Sequence, residues 1–534
     1  MGFDLTALIR IPEQGRVPTP PEAFNWRFYV LVFFSSFGAL CFGYDLAFIG
    51  GTFSLQSFIS RFHLTAENSV SLKTNMVSTF FGGAFFGVIL MYWFNEKFGR
   101  RLALILAGMV FNCGIIFQVA CHGNVPAFYA GRIIAGLGVG GISFVVPQYL
   151  SECSPARARG AVVGCYEIFL QLGTVIGFWI NYGVNLHVAP TDEQWHIPIA
   201  IQFIPGSVMA LGLLFLCESP RWLYLRGRRS DAAKSLTWIR NLPEDHPYVR
   251  MELEDYERQM EHEKTIASGS SLKSLIRESF SKQIRRRIFV GCMLMIFQNS
   301  TGINAMNSYS VSFFAGLGFR GTTASLFSTG VYGAVKASVT IISFFFFIDR
   351  LGRRQLLFIG SIGVAFSLYY VSAYAGITNS FSTTRDPDAA ARSAQAFIYI
   401  YGAAYAFGWN TAWVICSEIF PTRVRSFCLV FTTCSHWIGE FYTNYSAPYM
   451  LESITYGTML FYASMTALGG VFVYFYVPET KGIPLEDMEF LWEVKGFAPQ
   501  QMRAYRNLML ARVTEGIEQK VMDEEAIDMN VGKE

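Results

Sequence analysis

Six ionisable residues interrupt stretches that are otherwise apolar: Asp45, Arg132, Glu167, Lys336, His436 and Glu440. A charge inside a run long enough to cross a bilayer is costly, and it marks a solute pathway, a proton relay or an internal ion pair. Their spacing adds to this. Glu440 lies one helical turn from His436 and Asn444 one turn further, so the three share a stripe, and Gln171 stands in the same relation to Glu167. A carboxyl group in such a setting gains or loses its proton according to the cations and water that face it.

Lys336 is the sharpest case. It sits in "TGVYGAVKASVTIISFFFFIDRLGRR" (Thr329 to Arg354), thirteen residues before Asp349, or about 20 Å along a helix at 1.5 Å per residue. That is too deep for the lysine stem to snorkel to the helix end. Three roles are open: a ligand for an anionic solute, a donor to the hydroxyls of a neutral one, or a counter-charge for Glu167 or Glu440. The last needs a buried carboxylate close by to offset desolvation.

The elements that must hold these residues follow from composition. The chain has 534 residues, of which 52% are hydrophobic, 16% aromatic and only 15% charged, which is the profile of a polytopic membrane protein. Twelve apolar stretches are long enough to span about 30 Å of hydrocarbon as helices: Phe28–Gly50, Thr74–Phe94, Leu102–Cys121, Pro126–Pro147, Ala161–Gly183, Ile197–Cys217, Arg287–Tyr309, Ala324–Ile348, Gln355–Gly376, Ala396–Cys416, Cys428–Pro448 and Gly457–Val477. A hydrophilic stretch after the sixth, with mixed charge and two or three short amphipathic helices, reads as a solvated connector.

The domain boundaries expected are residues 1–27 as an N-terminal arm, 28–217 as a first six-helix bundle, 218–286 as a helical linker, 287–478 as a second six-helix bundle, and 479–534 as a tail. Lys and Arg cluster in alternate short loops, with Lys97, Arg100 and Arg101 in one, Arg157 and Arg159 in another, then Arg350, Arg353 and Arg354, then Arg423 and Arg425. By the positive-inside rule both termini are cytoplasmic. The first 27 residues lack the layout of a signal peptide, so the first helix is expected to act as an uncleaved insertion signal, placing a multi-pass protein in the plasma membrane. The net charge of +3 gives no sign of nucleic-acid binding. The ten cysteines are scattered with no CxxC pair and no histidine at ligand spacing, so neither a disulfide framework nor a metal site is expected.

The chain also repeats itself. "NEKFGRR" (Asn95 to Arg101) returns as "IDRLGRR" (Ile348 to Arg354), "SECSPARARG" (Ser151 to Gly160) as "SEIFPTRVRS" (Ser417 to Ser426), and "ESPRW" (Glu218 to Trp222) as "ETKG" (Glu479 to Gly482), at offsets of 253, 266 and 261. Two halves in parallel topology follow, the arrangement of carriers whose site lies near the bilayer midplane between the halves. Arginine beside glutamate at helix ends forms charge-assisted bonds. Arg100, Glu152, Arg157, Arg159, Glu218, Arg353, Glu418, Arg423, Arg425 and Glu479 are therefore candidates for a cytoplasmic gate that holds the two bundles together on that side.

Read in order, "GYDLAFIGG", "GRIIAGLGVGG", "PQYLSECSPARARG", "ESPRWL", "QNSTGIN", "DRLGRR", "WVICSEIFPTRVR" and "VPETKGIPLE" resemble the signatures of the sugar porters of the major facilitator superfamily, over about Trp26 to Met488. "NWR", "GFWINYGV", "WIRNLP", "TGVYGAVKA" and "ETKGIPLEDME" are most similar to its fungal branch of quinate permeases and monosaccharide–proton symporters. The resemblance implies an all-α membrane fold of two pseudo-symmetric six-helix bundles that works by alternating access.

It further implies that Asp45 and Arg132 couple transport to protons, because Asp45 stands where proton-coupled members carry aspartate and Arg132 matches its helix 4 partner. A static pair that only joins helices is the other reading. Gln298, Asn299 and Asn304 match the family's sugar-binding amides and Trp413 its ring-facing tryptophan. Asn307 and Tyr309 continue the stretch, with Ser308 where a tyrosine is common. Glu167 stands at a sugar-binding glutamine position, with Gln171 on the same face. His436 stands at a Gln or Asn position before Trp437, and Glu440 replaces an asparagine, so the pocket is more ionisable than an ordinary hexose site. Lys336 falls within one residue of a sugar-contacting asparagine.

The implied activity is proton-coupled import of a monosaccharide, with a quinate or sugar-acid symporter of the same fold as the alternative. A sugar sensor that binds without transport is the alternative of another class. The partners are then the solute, protons and lipid, with a monomeric protein and no cofactor. For an enzyme the chain offers no nucleophile elbow, phosphate loop or HExxH. The glycines of "GLGVGG" lie inside a helix pattern, where they permit close helix packing.

Overall fold

The computed structural model describes residues 19–155, 158–266, 278–319, 321–381, 388–421, 424–481, 483 and 485–509. Among these, helices are the regular structure throughout, and ten are long and apolar enough to cross a membrane. In chain order the spans are α1 Trp26–Thr52, α2 Ser69–Phe98, α3 Arg100–Val119, α4 Val125–Cys153, α5 Arg159–His187, α6 Asp192–Leu214, α7 Lys282–Gly316, α8 Thr322–Phe347, α9 Arg353–Thr378, α10 Ala389–Gly408 continuing as Thr411–Glu418, α11 Arg425–Ser453 and α12 Gly457–Tyr476. The two outside the ten are α10, interrupted between Gly408 and Thr411, and α11, which carries His436, Glu440 and Asn444 along its buried side.

Local sequence explains the starts. The Asn25 side chain accepts from the Arg27 and Phe28 amides at 2.9 and 3.3 Å to cap α1, and Asn124 accepts from Ala127 at 3.2 Å ahead of Pro126 in α4. The outer surface of the bundle is apolar, with Trp93, Phe366 and Ile377 at 66%, 64% and 84% exposure. For a soluble protein this would be an aggregation surface; in a bilayer it is the lipid face.

Within the first half, α4 packs on both α2 and α3, and α1 on α5; in the second, α9 packs on α10 and α12, and α7 on α11. The glycines of α4 make this tight, since Gly136 and Gly140 lie directly against the carbonyls of Phe80 and Ala84 on α2. The halves meet along α2 with α11, α5 with α8, and α1 with the second part of α7.

The repeated motifs occupy matched places. Gly99 and Gly352 join α2 to α3 and α8 to α9 with φ of 101° and 97°. A side chain at either would run into the Glu218 or Glu479 carboxylate, which is why the repeat keeps glycine there. Glu218 accepts from the Arg100 and Arg101 amides at 2.9 and 3.1 Å, and Glu479 from those of Arg353 and Arg354 at the same two distances. Each thereby satisfies the open N-terminus of its helix. Arg100 pairs with Glu152 at 2.9 Å and Arg353 with Glu418 at 3.3 Å. Ser219 and Thr480 donate to the same two glutamates at 2.5 Å each.

Six of the ten residues expected to form a cytoplasmic gate, Arg100, Glu152, Glu218, Arg353, Glu418 and Glu479, meet in these clasps. Among the described residues the Arg100–Glu152 pair joins α3 to α4 and the Arg353–Glu418 pair joins α9 to α10, each within one half. Across the halves at this end Gln148 Nε2 donates to Ser426 Oγ at 2.9 Å, and Asn95 donates to Gln148 at 3.0 Å. The reason is geometric: the motif glutamates sit one helix away from their arginines inside each repeat. Arg425 donates to the Phe420 carbonyl of its own half at 3.3 Å. Arg157 and Arg423 lie outside the described residues, as does the side chain of Arg159.

The linker is also more than a solvated connector. Helices Pro220–Leu225, Arg229–Arg240 and Pro247–Ile266 form a small core with Trp222, Leu223, Tyr224, Ala232 and Met260 buried. The buried Arg240 holds Glu252 at 3.0 Å and donates to the Cys153 carbonyl at 2.8 Å, at the last turn of α4. All ten cysteines are free thiols.

Candidate functional site: a polar cavity between the halves

The break in α7 builds the site. At Gly302 the chain takes φ 80° and the helix restarts at Ile303, so Asn304 reaches back across the break and donates to Asn299 Oδ1 at 2.6 Å. Asn299 in turn donates to the Met295 and His436 carbonyls at 2.9 and 3.2 Å, and its Nδ2 is 3.1 Å from His436 Nδ1. On the other side Asn307 Nδ2 lies 3.5 Å from Asn304 Oδ1, and Lys336 Nζ donates to Asn307 Oδ1 at 3.1 Å. A chain of amides thus runs from His436 on α11 to Lys336 on α8. A discontinuous helix beside a solute site is the usual device by which carriers free polar groups at membrane depth.

The cavity next to this chain takes Phe42 and Leu46 from α1, and Glu167, Leu170 and Gln171 from α5. The second half supplies Gln298, Asn304 and Asn307 from α7, Lys336 from α8, Tyr405, Asn410 and Trp413 from α10, and His436 and Glu440 from α11. Several of its buried polar atoms make no hydrogen bond: Glu167 Oε1, Gln171 Oε1, Gln298 Oε1, His436 Nε2 and Glu440 Oε1. Buried polar groups are ordinarily satisfied, and this set of donors and acceptors suits a ligand dense in hydroxyls. His436 Nε2 and Glu440 Oε1 are 3.3 Å apart without a hydrogen bond between them, and both residues line the cavity.

Lys336 is 2% exposed. Among the described residues no carboxylate lies within 4.0 Å of its ammonium, so the reading in which it forms a close pair with Glu167 or Glu440 does not match the geometry. Glu167 and Glu440 border the same cavity at greater distance.

The Trp413 ring stands edge-on to His436 with centroids 4.7 Å apart. Trp437 is turned away: it is fully buried between the halves, donates to Ser143 at 3.2 Å and packs on Phe42 at 4.9 Å. Asn299 lies behind the cavity wall. Asp45 and Arg132 are buried beside the cavity rather than in its lining. Arg132 Nη1 lies 2.6 Å from Asp45 Oδ1, Nε donates to the Met76 carbonyl at 3.0 Å, and the guanidinium lies 4.4 Å from the Phe80 ring centre. Asp45 Oδ2 and Arg132 Nη2 have no partner.

Sequence reasoning passed over Phe42, Leu46, Leu170, Tyr405 and Asn410. The interruption of α10 at "GWNT" was the available signal for Asn410, which donates to Thr340 at 3.1 Å. Among the described residues no cluster of three His, Cys, Asp or Glu side chains is placed to hold a metal.

Two like helical halves, a lipid-facing surface and an amide-lined cavity between them define a secondary transporter of the major facilitator class. The chain belongs to the sugar transporter family: the model described as "Sugar (and other) transporter" matches residues 31–492. It is 42% identical over 487 residues to a probable quinate permease of Aspergillus fumigatus, covering 90% of both chains. It is 41% identical over 483 residues to the quinate permease of Emericella nidulans, covering 90% of this chain and 91% of that one. Among solved structures, the proton:xylose symporter XylE bound to 6-bromo-6-deoxy-D-glucose matches with a TM-score of 0.74 at 26% identity, over 87% of this chain and 99% of that one. The inward-open form of the xylose transporter XylE from E. coli matches with a TM-score of 0.68 at 26% identity, over 87% and 100%. These relatives are carriers, and the chain is a multi-pass membrane transporter rather than an enzyme.

Proposed function

We propose that the protein is a proton-coupled symporter of the plasma membrane, working as a monomer with both termini cytoplasmic, that imports a small cyclic polyhydroxylated acid of the quinate type by alternating access. The observation that carries the substrate class is Lys336: an ammonium in the cavity wall, bonded to an amide and free of any close carboxylate, beside amides able to take hydroxyls. Relatives named quinate permeases support the same ordering, which places the acid ahead of the monosaccharide that the sequence put first. Proton coupling rests on the buried Asp45–Arg132 pair and on likeness to a proton:xylose symporter. In this reading the glutamine and asparagine side chains take the hydroxyls, Trp413 covers the apolar face of the ring, and the clasps keep each half rigid as the two rock.

The second reading is a neutral monosaccharide, favoured by the two carboxylates of Glu167 and Glu440 in the same cavity. Uptake of labelled quinate, glucose and xylose, measured side by side in yeast lacking its own hexose carriers, with and without a protonophore, tests both. Protonophore-sensitive quinate uptake is expected. Uptake of glucose or xylose alone would overturn the acid, and binding without uptake of any of the three would make the protein a sensor.

A further inference from the structure

Glu167 has no counterpart to explain it in an anion site. It is 4% exposed, and among the described residues its Oε1 makes no hydrogen bond and no cation lies within ion-pair distance. The ionisable groups around it are Lys336 from α8, Tyr405 from α10, and His436 and Glu440 from α11; Cys41 and the Arg132-paired Asp45 lie on α1, and Cys165 and Tyr166 on its own helix. Lys336 lines the same cavity as Glu167 and Glu440.

Charge balance sets the problem. One ammonium shares the cavity with two carboxylates, Glu167 and Glu440, the second of them 3.3 Å from His436 Nε2. An acidic solute entering this space brings a third negative charge to that one ammonium. Three anions facing the single Lys336 ammonium in a buried space is a costly state, and a proton on one carboxylate eases it. Glu440 has His436 and Asn444 as neighbours; Glu167 has neither donor nor close cation, so it is the carboxylate for which the neutral acid is least disruptive.

We propose that Glu167 is a second protonation site, distinct from Asp45, that is loaded together with an acidic substrate: the proton on Glu167 leaves the substrate's carboxylate as the one the Lys336 ammonium has to balance on that side of the cavity. This rests on the quinate-type reading of the same cavity. The proton comes from water on the side open to entry, forms the carboxyl O–H of Glu167, and returns to water on the opposite side when the substrate leaves. No bond of the substrate changes.

The test uses the full-length protein in liposomes, with quinate uptake and proton movement recorded together. In the wild type the KM for quinate rises with pH, because the binding-competent form carries the proton. Glu167→Gln, neutral at every pH, is expected to keep a low KM that rises less steeply with pH, Asp45 being still present, and to carry one proton fewer per quinate, while Glu167→Asp restores both features. A Glu167→Gln protein with unchanged pH profile and proton count would overturn the second site and leave the substrate reading standing. Absence of quinate uptake in the wild type would overturn the substrate reading and this proposal with it. If Glu167→Gln is poorly inserted, Glu167→Asp with a KM profile that ignores pH would also overturn it.

Discussion

Arg132 Nη1 lies 2.6 Å from Asp45 Oδ1, with both side chains at or below 1% exposure and one oxygen of the aspartate left unpartnered. A salt bridge so buried is weak evidence for stability, because desolvation offsets much of the attraction. Its value lies in its dependence on a proton. Protonating Asp45 dissolves the charge pair between α1 and α4, and α1 also carries Phe42 and Leu46 into the cavity. Asp45→Asn fixes the neutral form. It is expected to abolish accumulation against a concentration gradient while sparing exchange of labelled for unlabelled substrate. Accumulation at the wild-type level would remove Asp45 from the coupling.

Lys336→Met tests the ammonium. Removing one partner of a buried charged contact costs about 2 kcal/mol or more, which is roughly thirtyfold in affinity. Quinate uptake is expected to weaken by that factor while any uptake of neutral sugar is spared. An equal loss for both would make the lysine a general hydroxyl donor.

The fold was legible because membrane helices announce themselves: apolar runs of the right length, basic loops and an internal repeat are properties of composition and order. The site was legible where a residue type was out of place, as with Lys336 and Glu167 in apolar surroundings. What could not be read was orientation. Asn299 and Asn304 look equivalent in "QNSTGIN", yet the turn at Gly302 puts one behind the wall and the other in it. Trp437 follows His436 directly, so on a helix it points about 100° away, into the interface. The pairing of Arg100 with Glu152 inside one half, rather than across halves, depends on which helices are neighbours, and no spacing along the chain encodes that.

The linker gives a stability prediction. Arg240 is 1% exposed and holds both Glu252 oxygens at 3.0 Å while capping the α4 carbonyl of Cys153. Burial works against its charge, and the facing Glu252 outweighs this, holding the guanidinium above its ordinary pKa. Arg240→Met leaves Glu252 without its cation and is expected to cost about 3 kcal/mol, seen as a lower Tm of the purified protein in detergent. Arg240→Met combined with Glu252→Gln recovers part of that loss, since the stranded charge is gone.

Gly50 offers a test of alternating access that touches no charge. It lies on α1 directly against the carbonyl of Ser308 on α7, where the two halves meet at the end away from the clasps. A side chain there has backbone, not a flexible neighbour, to displace. Packed interfaces switch between discrete arrangements rather than deforming smoothly, so Gly50→Val should disfavour the arrangement in which this end is closed. Transport is expected to fall steeply, while substrate added from that side still binds and protects the purified protein against thermal unfolding. A bulky-reagent label at a cysteine placed near Gly50 would react faster in the variant than in the wild type. Wild-type transport by Gly50→Val would mean that this contact need not form during the cycle.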